Sequence, residues 1–201
     1  MTHLQIIDSS ELIVLETGKL TGNDIIESKK KISQLATVFS NETARQKMNP
    51  DTLVYKVQAH MKPLEGTPGG LYFGTSTIYP GKVDNEYFMT RGHFHTKSDR
   101  AEYYWGIQGQ GMLLLMDKDR NTWAERVYPG SLHYIEPHIA HRLANTGDSP
   151  LIVGACWPSD AGHNYEEIDR YGFSARLVDK DRKPSLIHNS LPNETSIKTG
   201  F

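Results

Sequence analysis

Beyond Pro50 the chain is cut into short β-branched and aromatic runs, each closed by Gly, Pro or a polar turn, which leaves little room for helices. Strands are predicted near Leu53 to His60, Leu71 to Tyr79, Tyr87 to Thr90, His93 to Thr96, Glu102 to Gln108 and Met112 to Asp117. They continue near Thr122 to Val127, Leu132 to Ile135, His141 to Asn145 and Leu151 to Trp157, with Asp117-Lys-Asp-Arg-Asn121 as a polar hairpin turn. Strands spaced so regularly point to an all-β sandwich or barrel. Ahead of them, Glu11-Leu-Ile-Val-Leu-Glu reads as a strand. From Asn23 the apolar residues Ile25, Ile26, Ile32, Leu35, Ala36 and Phe39 recur at helical steps, leaving Lys29, Lys30 and Lys31 to a solvated face, so a helix is predicted there. From Lys180 the tail is polar, carries Pro184 and Pro192, and shows no strong periodicity.

The 201 residues suit one domain (1–201), read as an N-terminal extension over 1–50, a barrel core over 51–160 and a C-terminal arm over 161–201. Lys and Arg total 22 against 24 Asp and Glu, a net charge of −2 without a basic run, so no nucleic-acid partner is expected. No stretch has the length of a membrane span, and the N-terminus lacks a signal peptide's charged start and apolar core. The single cysteine, Cys156, excludes an internal disulfide and reads as a small strand residue. The expectation is a soluble cytoplasmic protein.

Against that background, His93, His95, Glu102 and His141 form a candidate metal set. His93 and His95 are two apart, so on a strand both imidazoles leave one face. A short loop over Thr96 to Arg100 would fold Glu102 back over them. His141 comes from a later strand, and the set closes only if the chain between returns antiparallel. Three imidazoles and one carboxylate suit a borderline divalent ion such as Fe, Mn, Ni or Zn, and suit Ca or Mg poorly. His133 reads as a packing or surface residue. His138 and His163 fall in loops near the proposed pocket, within reach of a substrate.

The ligand pattern and strand texture together resemble the cupin superfamily of jelly-roll (double-stranded β-helix) metalloproteins: His93, His95, Glu102 and Gly109 match the first cupin motif, His141 and Asn145 the second. The longer gap between His95 and Glu102, and Pro137-His-Ile-Ala where cupins usually carry Pro-x-Gly, resemble one branch, the cupin-type glucose-6-phosphate isomerases. That resemblance covers roughly Ala59 to Ile168. It rests on Tyr79-Pro-Gly-Lys82, Glu86-Tyr-Phe-Met-Thr-Arg-Gly-His-Phe-His95, Glu102-Tyr-Tyr104 with Gly109-Gln-Gly111, Ala140-His-Arg142 with Asn145-Thr-Gly-Asp148, and Trp157-Pro-Ser-Asp-Ala-Gly-His-Asn-Tyr165. The family usually places a tyrosine where this chain has Trp157, and an aromatic residue at His138.

The resemblance implies a homodimer that interconverts glucose 6-phosphate and fructose 6-phosphate, a step of glycolysis and gluconeogenesis. Each subunit would hold one divalent transition metal, Fe2+ first among the candidates. The resemblance assigns the substrate phosphate to Ser76, Thr90 and Gly92, and the proton shuttle to Glu102. His163 and Tyr165 are further acid–base candidates. Tyr104, two residues past Glu102, should face the same pocket, and Trp157 can stack on a sugar. Two other readings share the metal set: a non-haem iron cupin dioxygenase, and a catalytically silent sugar-phosphate-binding cupin.

Overall fold

The strongest strand signal, the unbroken apolar run Gly111-Met-Leu-Leu-Leu-Met116, forms a strand buried along its whole length, as a run without alternation requires. A computed structural model describes residues 5–189. Its strands are β1 (Leu12–Val14), β2 (Lys19–Thr21), β3 (Ile25–Lys31), β4 (Leu53–His60), β5 (Leu71–Ile78), β6 (Lys82–Val83), β7 (Glu86–Tyr87) and β8 (Glu102–Gln108). There follow β9 (Gly111–Met116), β10 (Thr122–Val127), β11 (Leu132–Ile135), β12 (Ala140–Asn145), β13 (Leu151–Pro158), β14 (Ala175–Lys180) and β15 (Lys183–His188). Two six-residue helices, α1 (Glu42–Lys47) and α2 (Glu166–Tyr171), complete the set. Among the described residues no helix is long and apolar enough to cross a membrane.

The strands form a six-stranded sheet ordered β11-β8-β13-β5-β4-β3, a three-stranded sheet β10-β9-β12, a four-stranded sheet β15-β14-β7-β6 and the hairpin β1-β2. Val54, Ile78, Leu113, Leu143, Leu151 and Leu177 come from three of these sheets and join one continuous core. Ile32, Leu35 and Phe39 enter the same core from before the barrel, and Ile168 and Phe173 from after it. The all-β architecture expected from the strand pattern is what the chain forms, in keeping with the jelly roll that the resemblance implies.

Two local expectations are overturned. Ile25 to Lys31 is not helical: it pairs antiparallel with β4, from Ile25↔His60 to Lys31↔Leu53, and a 3-10 turn follows over Ile32–Gln34. β4 offers an open edge, and ladder bonds to it outweigh a helical spacing in which only Ile32, Leu35 and Phe39 reach the core. Lys29, Lys30 and Lys31 then sit on the sheet's outermost strand, where charge discourages pairing with another chain. The short N-terminal helix is instead α1, capped by Asn41, whose side chain accepts from Ala44 N at 2.9 Å. The second correction concerns the segment from Lys180: β14 and β15 form a hairpin closed by Asp181 and Arg182, at φ 54° and 60°. That pair of left-handed residues is the geometry of a two-residue hairpin turn, without the Asn-Gly that advertises it in sequence. The remainder of the tail, 190–201, lies outside the described residues.

Two contacts fix the framework that carries the site. Asn145, wholly buried at the end of β12, donates through Nδ2 to Ile78 O and Ser149 O, both at 2.8 Å, and accepts from Gly147 N at 2.8 Å. It thereby joins β12 to β5 and to the turn before β13. The loop over Thr96 to Arg100 is held by Asp160, which accepts from Arg100 Nε at 2.9 Å, Arg100 Nη2 at 2.8 Å and Lys97 Nζ at 2.9 Å. Arg100, then Lys97, keep the Asp160 carboxyl well below the usual carboxylate range.

Asn145→Ala takes a partner from the buried Ile78 O, from the half-buried Gly147 N–H and from Ser149 O in an exposed turn, and at about 1–3 kcal/mol for a buried orphaned group a loss of that order is expected in denaturant titration. A loss no larger than a surface substitution causes would show that water replaces the amide. Because the folded Asp160 titrates lower than the unfolded one, its contribution is complete above pH about 4 and is lost as pH falls below that value. Asp160→Asn is expected to lower the melting temperature at neutral pH and to flatten its decline in acid. Parallel melting curves for the two proteins between neutral pH and acid would remove the clamp from the account.

Candidate active site

The His93–His95 segment is not a regular strand. It is held by two isolated antiparallel bridges, His93↔His141 on one side and Phe94↔Asn164 on the other. Gly92 permits the entry, at φ +79°, with Arg142 and Phe173 packed where a side chain would stand. The exchange of His93 N to His141 O at 3.3 Å and His141 N to His93 O at 3.1 Å is the antiparallel return that the ligand set requires. β12 reaches that position by pairing with β9, with His141 opposite Leu115.

One potential ligand atom from each of His93, His95, Glu102 and His141 lies within 4.8 Å of all the others. His95 Nε2 is 2.9 Å from Glu102 Oε2, and its Nδ1 meets Arg100 O at 2.8 Å, so the Asp160-braced loop also orients this ring. His141 Nε2 is 3.3 Å from the same Oε2, at an angle that makes no hydrogen bond. Burial opposes ionisation of Glu102, but His141 and His95 outweigh it and hold the carboxyl at about 2. Burial likewise opposes charge on His95, and Glu102 reverses the balance and raises it. Burial, reinforced by the other imidazoles, pushes His93 well below its ordinary value. The Nε2 atoms of His93 and His141 are buried without an acceptor or donor among the described residues. Orphaned imidazole nitrogens converging on an ionised buried carboxylate fit a divalent cation, which would satisfy all of them at once.

Above the cluster opens a pocket of about 260 Å³. His93, Glu102 and His141 lie at its base, and Ser76, Thr90, Gly92, Tyr104 and Trp157 on its walls with His163 and Tyr165. His95 stands behind this surface. Of the three hydroxyls Thr75, Ser76 and Thr77, strand alternation turns only Ser76 inward; Thr75 packs under the β1-β2 hairpin beside Gly18. Thr90 Oγ1 accepts from Leu143 N at 3.0 Å, which ties this wall to β12. Tyr104 stands edge-on to His141 at 5.6 Å between ring centroids, and burial, then Glu102, raise its phenol well above the ordinary value.

The wall after β13 is built from rings. His163 lies 4.3 Å from His93 and stacks on Tyr165 with planes 9° apart. Burial lowers the His163 imidazole despite the pull of Glu102, although the ring is exposed at the pocket mouth. The Arg91 guanidinium covers Tyr165 at 4.2 Å and is paired with Asp169 on α2. Trp157 packs edge-on to Tyr72 and against Gly74, where a Cβ would stand 2.9 Å from the indole.

His138 is a correction: it sits at φ 70° in an exposed turn, donates its N–H to Ser98 O at 2.6 Å, and is absent from the pocket wall. Lys82, which ends the Tyr79-Pro-Gly-Lys82 stretch, is paired with Asp179 and does not line the pocket. His133 is buried between Glu125 and Ser131, as a packing residue would be. Sequence reasoning missed Tyr55 and Gly74. Tyr55 lines the pocket, and burial, partly offset by the Arg91 backbone amide, pushes its phenol up to about 12. Alternation within β4 was the available signal, since Tyr55, Val57 and Ala59 all reach this wall.

Comparison with known proteins gives a consistent result. The family model described as glucose-6-phosphate isomerase (GPI) matches residues 29–190. The glucose-6-phosphate isomerase of Thermococcus onnurineus is 39% identical over 178 residues, covering 88% of this chain and 92% of that protein. That of Thermococcus litoralis is 42% identical over 165 residues, covering 79% and 86%. Among solved structures, Bacillus subtilis oxalate decarboxylase aligns over 54% of this chain and 26% of that one, with 19% identity and a TM-score of 0.42. The chain belongs to the glucose-6-phosphate isomerase family.

Proposed function

We propose that the chain interconverts glucose 6-phosphate and fructose 6-phosphate by a metal-dependent aldose–ketose isomerisation, as a cytoplasmic homodimer with one divalent transition metal per subunit. The observation that carries this reading is the convergence of four ligand atoms within 4.8 Å at the base of a pocket whose largely apolar walls carry the hydroxyls of Ser76, Thr90 and Tyr104. Fe2+ leads the candidates, with Mn, Ni and Zn sharing the same donor preference. A cation held by His93, His95, Glu102 and His141 would supply Lewis-acid stabilisation of negative charge on the sugar oxygens.

The protein's own groups do the rest. Ser76, Thr90 and the Gly92 backbone are neutral donors suited to the phosphate end, in a chain without a glycine-rich phosphate loop. Tyr104 and Trp157 confine the sugar, the indole offering a stacking face and one N–H. The isomerisation moves one hydrogen from C2 of the open-chain aldose to C1, while a proton leaves O2 and another reaches O1. Glu102 is the group assigned to that transfer, and the proximity of His141 and His95, which lowers its basicity, makes it a weak base at rest. His163 and Tyr165, at the pocket mouth, are assigned to opening the pyranose ring. An O₂-using cupin would have no need of the hydroxyl-lined wall.

A surface is available for the homodimer. Leu71, Tyr103, Leu132 and Tyr134 are 61, 48, 68 and 50% exposed, and strand pairing sets Tyr103 beside Tyr134 on one outer face of the six-stranded sheet. An exposed apolar patch of this kind is characteristic of an association face. Sedimentation is expected to give a dimer for the natural chain and a monomer for Tyr103→Glu; a monomeric natural chain would remove the assembly from the proposal.

A coupled assay should detect glucose 6-phosphate formed from fructose 6-phosphate, lose it in EDTA, and regain it on addition of at least one of Fe, Mn, Ni or Zn. His141→Ala is expected to lose both metal and turnover, whereas Glu102→Gln keeps more of the metal but loses about 10²–10⁴-fold in rate. Tyr165→Phe should be milder. Activity that survives complete metal removal rejects the metal-dependent reading, and unchanged metal content in His141→Ala rejects the ligand assignment.

A further inference from the structure

A second cavity, of about 90 Å³, lies on the opposite face of β12 from the pocket. Phe39, Ser40, Glu86, Arg142, Phe173 and Arg176 border it. Nothing in the isomerase reading uses these charges. Arg142 is only 6% exposed and Glu86 2%, so both are interior groups. The Arg142 guanidinium lies 4.0 Å from the Phe173 ring and donates Nη1–H to Met89 Sδ at 3.0 Å, a weak acceptor. Among the described residues no carboxylate forms an ion pair with it. Glu86 is already engaged, accepting from Ser40 N and Ser40 Oγ, each at 2.7 Å, with Arg176 Nη1 at 4.0 Å. Arg176 donates to Ser40 Oγ.

What remains is an imbalance. The Nε–H groups of both Arg142 and Arg176 are buried without an acceptor among the described residues. Nε lies on the edge of the guanidinium that grips oxyanions in bidentate fashion. Two guanidiniums face one carboxylate, leaving one surplus positive charge in a cleft where Arg142 is buried and the Arg176 side chain is 27% exposed. Water could satisfy the N–H groups but would leave that charge uncompensated, which is unfavourable for the buried Arg142. A cavity of about 90 Å³ has room for several waters or for one small oxyanion in their place.

We propose that this cavity binds a small tetrahedral oxyanion of the phosphate or sulfate class, bridging Arg142 on β12 to Arg176 on β14. The bound ion braces the strand that carries His141 against the C-terminal hairpin. The proposal does not rest on the isomerase reading, and its test separates the two. Inorganic phosphate is titrated calorimetrically into the full chain with fructose 6-phosphate at saturation, so that the main pocket is occupied. One phosphate per chain should still bind. Arg176→Gln should weaken that binding at least about tenfold while retaining the native circular dichroism and turnover. Arg176→Lys, which keeps the charge but not the fork, should fall between, and Ser76→Ala should leave this binding intact. The proposal is overturned if no phosphate binds under saturating fructose 6-phosphate, if Arg176→Gln binds it as the natural chain does, or if Ser76→Ala alone abolishes it. Should the isomerase reading fail instead, turnover is absent while the loss in Arg176→Gln persists.

Discussion

The antiparallel bridge between His93 and His141 is the constraint on which the rest of the site depends. It joins a segment with little regular pairing of its own to a strand buried along its whole length, so an irregular stretch takes its position from a regular one. The bridge brings three imidazoles around a single carboxylate, whose ionisation His141 and His95 favour against the opposing effect of burial. A buried carboxylate and unpartnered buried nitrogens are each costly alone. They become compatible when a cation takes the place at which they converge, so the arrangement that looks least favourable without metal is the one that fits metal best.

The pocket is assembled by two kinds of force. The metal set and the Ser76 and Thr90 walls are carried by ladder hydrogen bonds and by Asn145, which depend little on salt or pH. The rings after β13 are fastened differently: Asp160 grips Arg100 and Lys97, and Arg91 pairs with Asp169 while covering Tyr165. Both clasps tie the 158–169 segment to the 91–100 segment, across the mouth. Ion pairs near the surface are individually weak and screened by salt. The base of the site is therefore the rigid part and the mouth the adjustable one, a division that suits a pocket that must admit a cyclic sugar and hold it open.

Legibility in the sequence followed locality. β4, β8, β10 and β11 were readable to the residue because alternation or an apolar run marks a strand without reference to its partners. The ligand set was readable because His-x-His and the later His-Arg-Leu-Ala-Asn fix chemistry by spacing. What failed depended on distant contacts. The stretch from Ile25 to Lys31 has helical spacing, and only the open edge of β4 makes it a strand. The Asp181-Arg182 turn lacks turn residues of the usual kind and is specified by the pairing around it. Tyr55 and Gly74 belong to the pocket because β4 and β5 turn one face toward it; alternation marks which residues of β4 share a face, but no local pattern says that this face meets the site.

Gly74 also changes the meaning of the tryptophan at 157. Set against a family that usually carries tyrosine there, Trp157 reads as an isolated departure. In the folded chain the indole lies over Gly74, where a Cβ would meet both the ring and the Gln58 carbonyl at 2.9 Å. Tyr72 closes on its edge at 5.9 Å. The larger ring therefore occupies room that the strand opposite provides, and its orientation is fixed by packing instead of by a phenolic hydrogen bond. A side chain held this way can present a flat face to a sugar with little loss of conformational entropy on binding, which compensates for the hydroxyl it lacks.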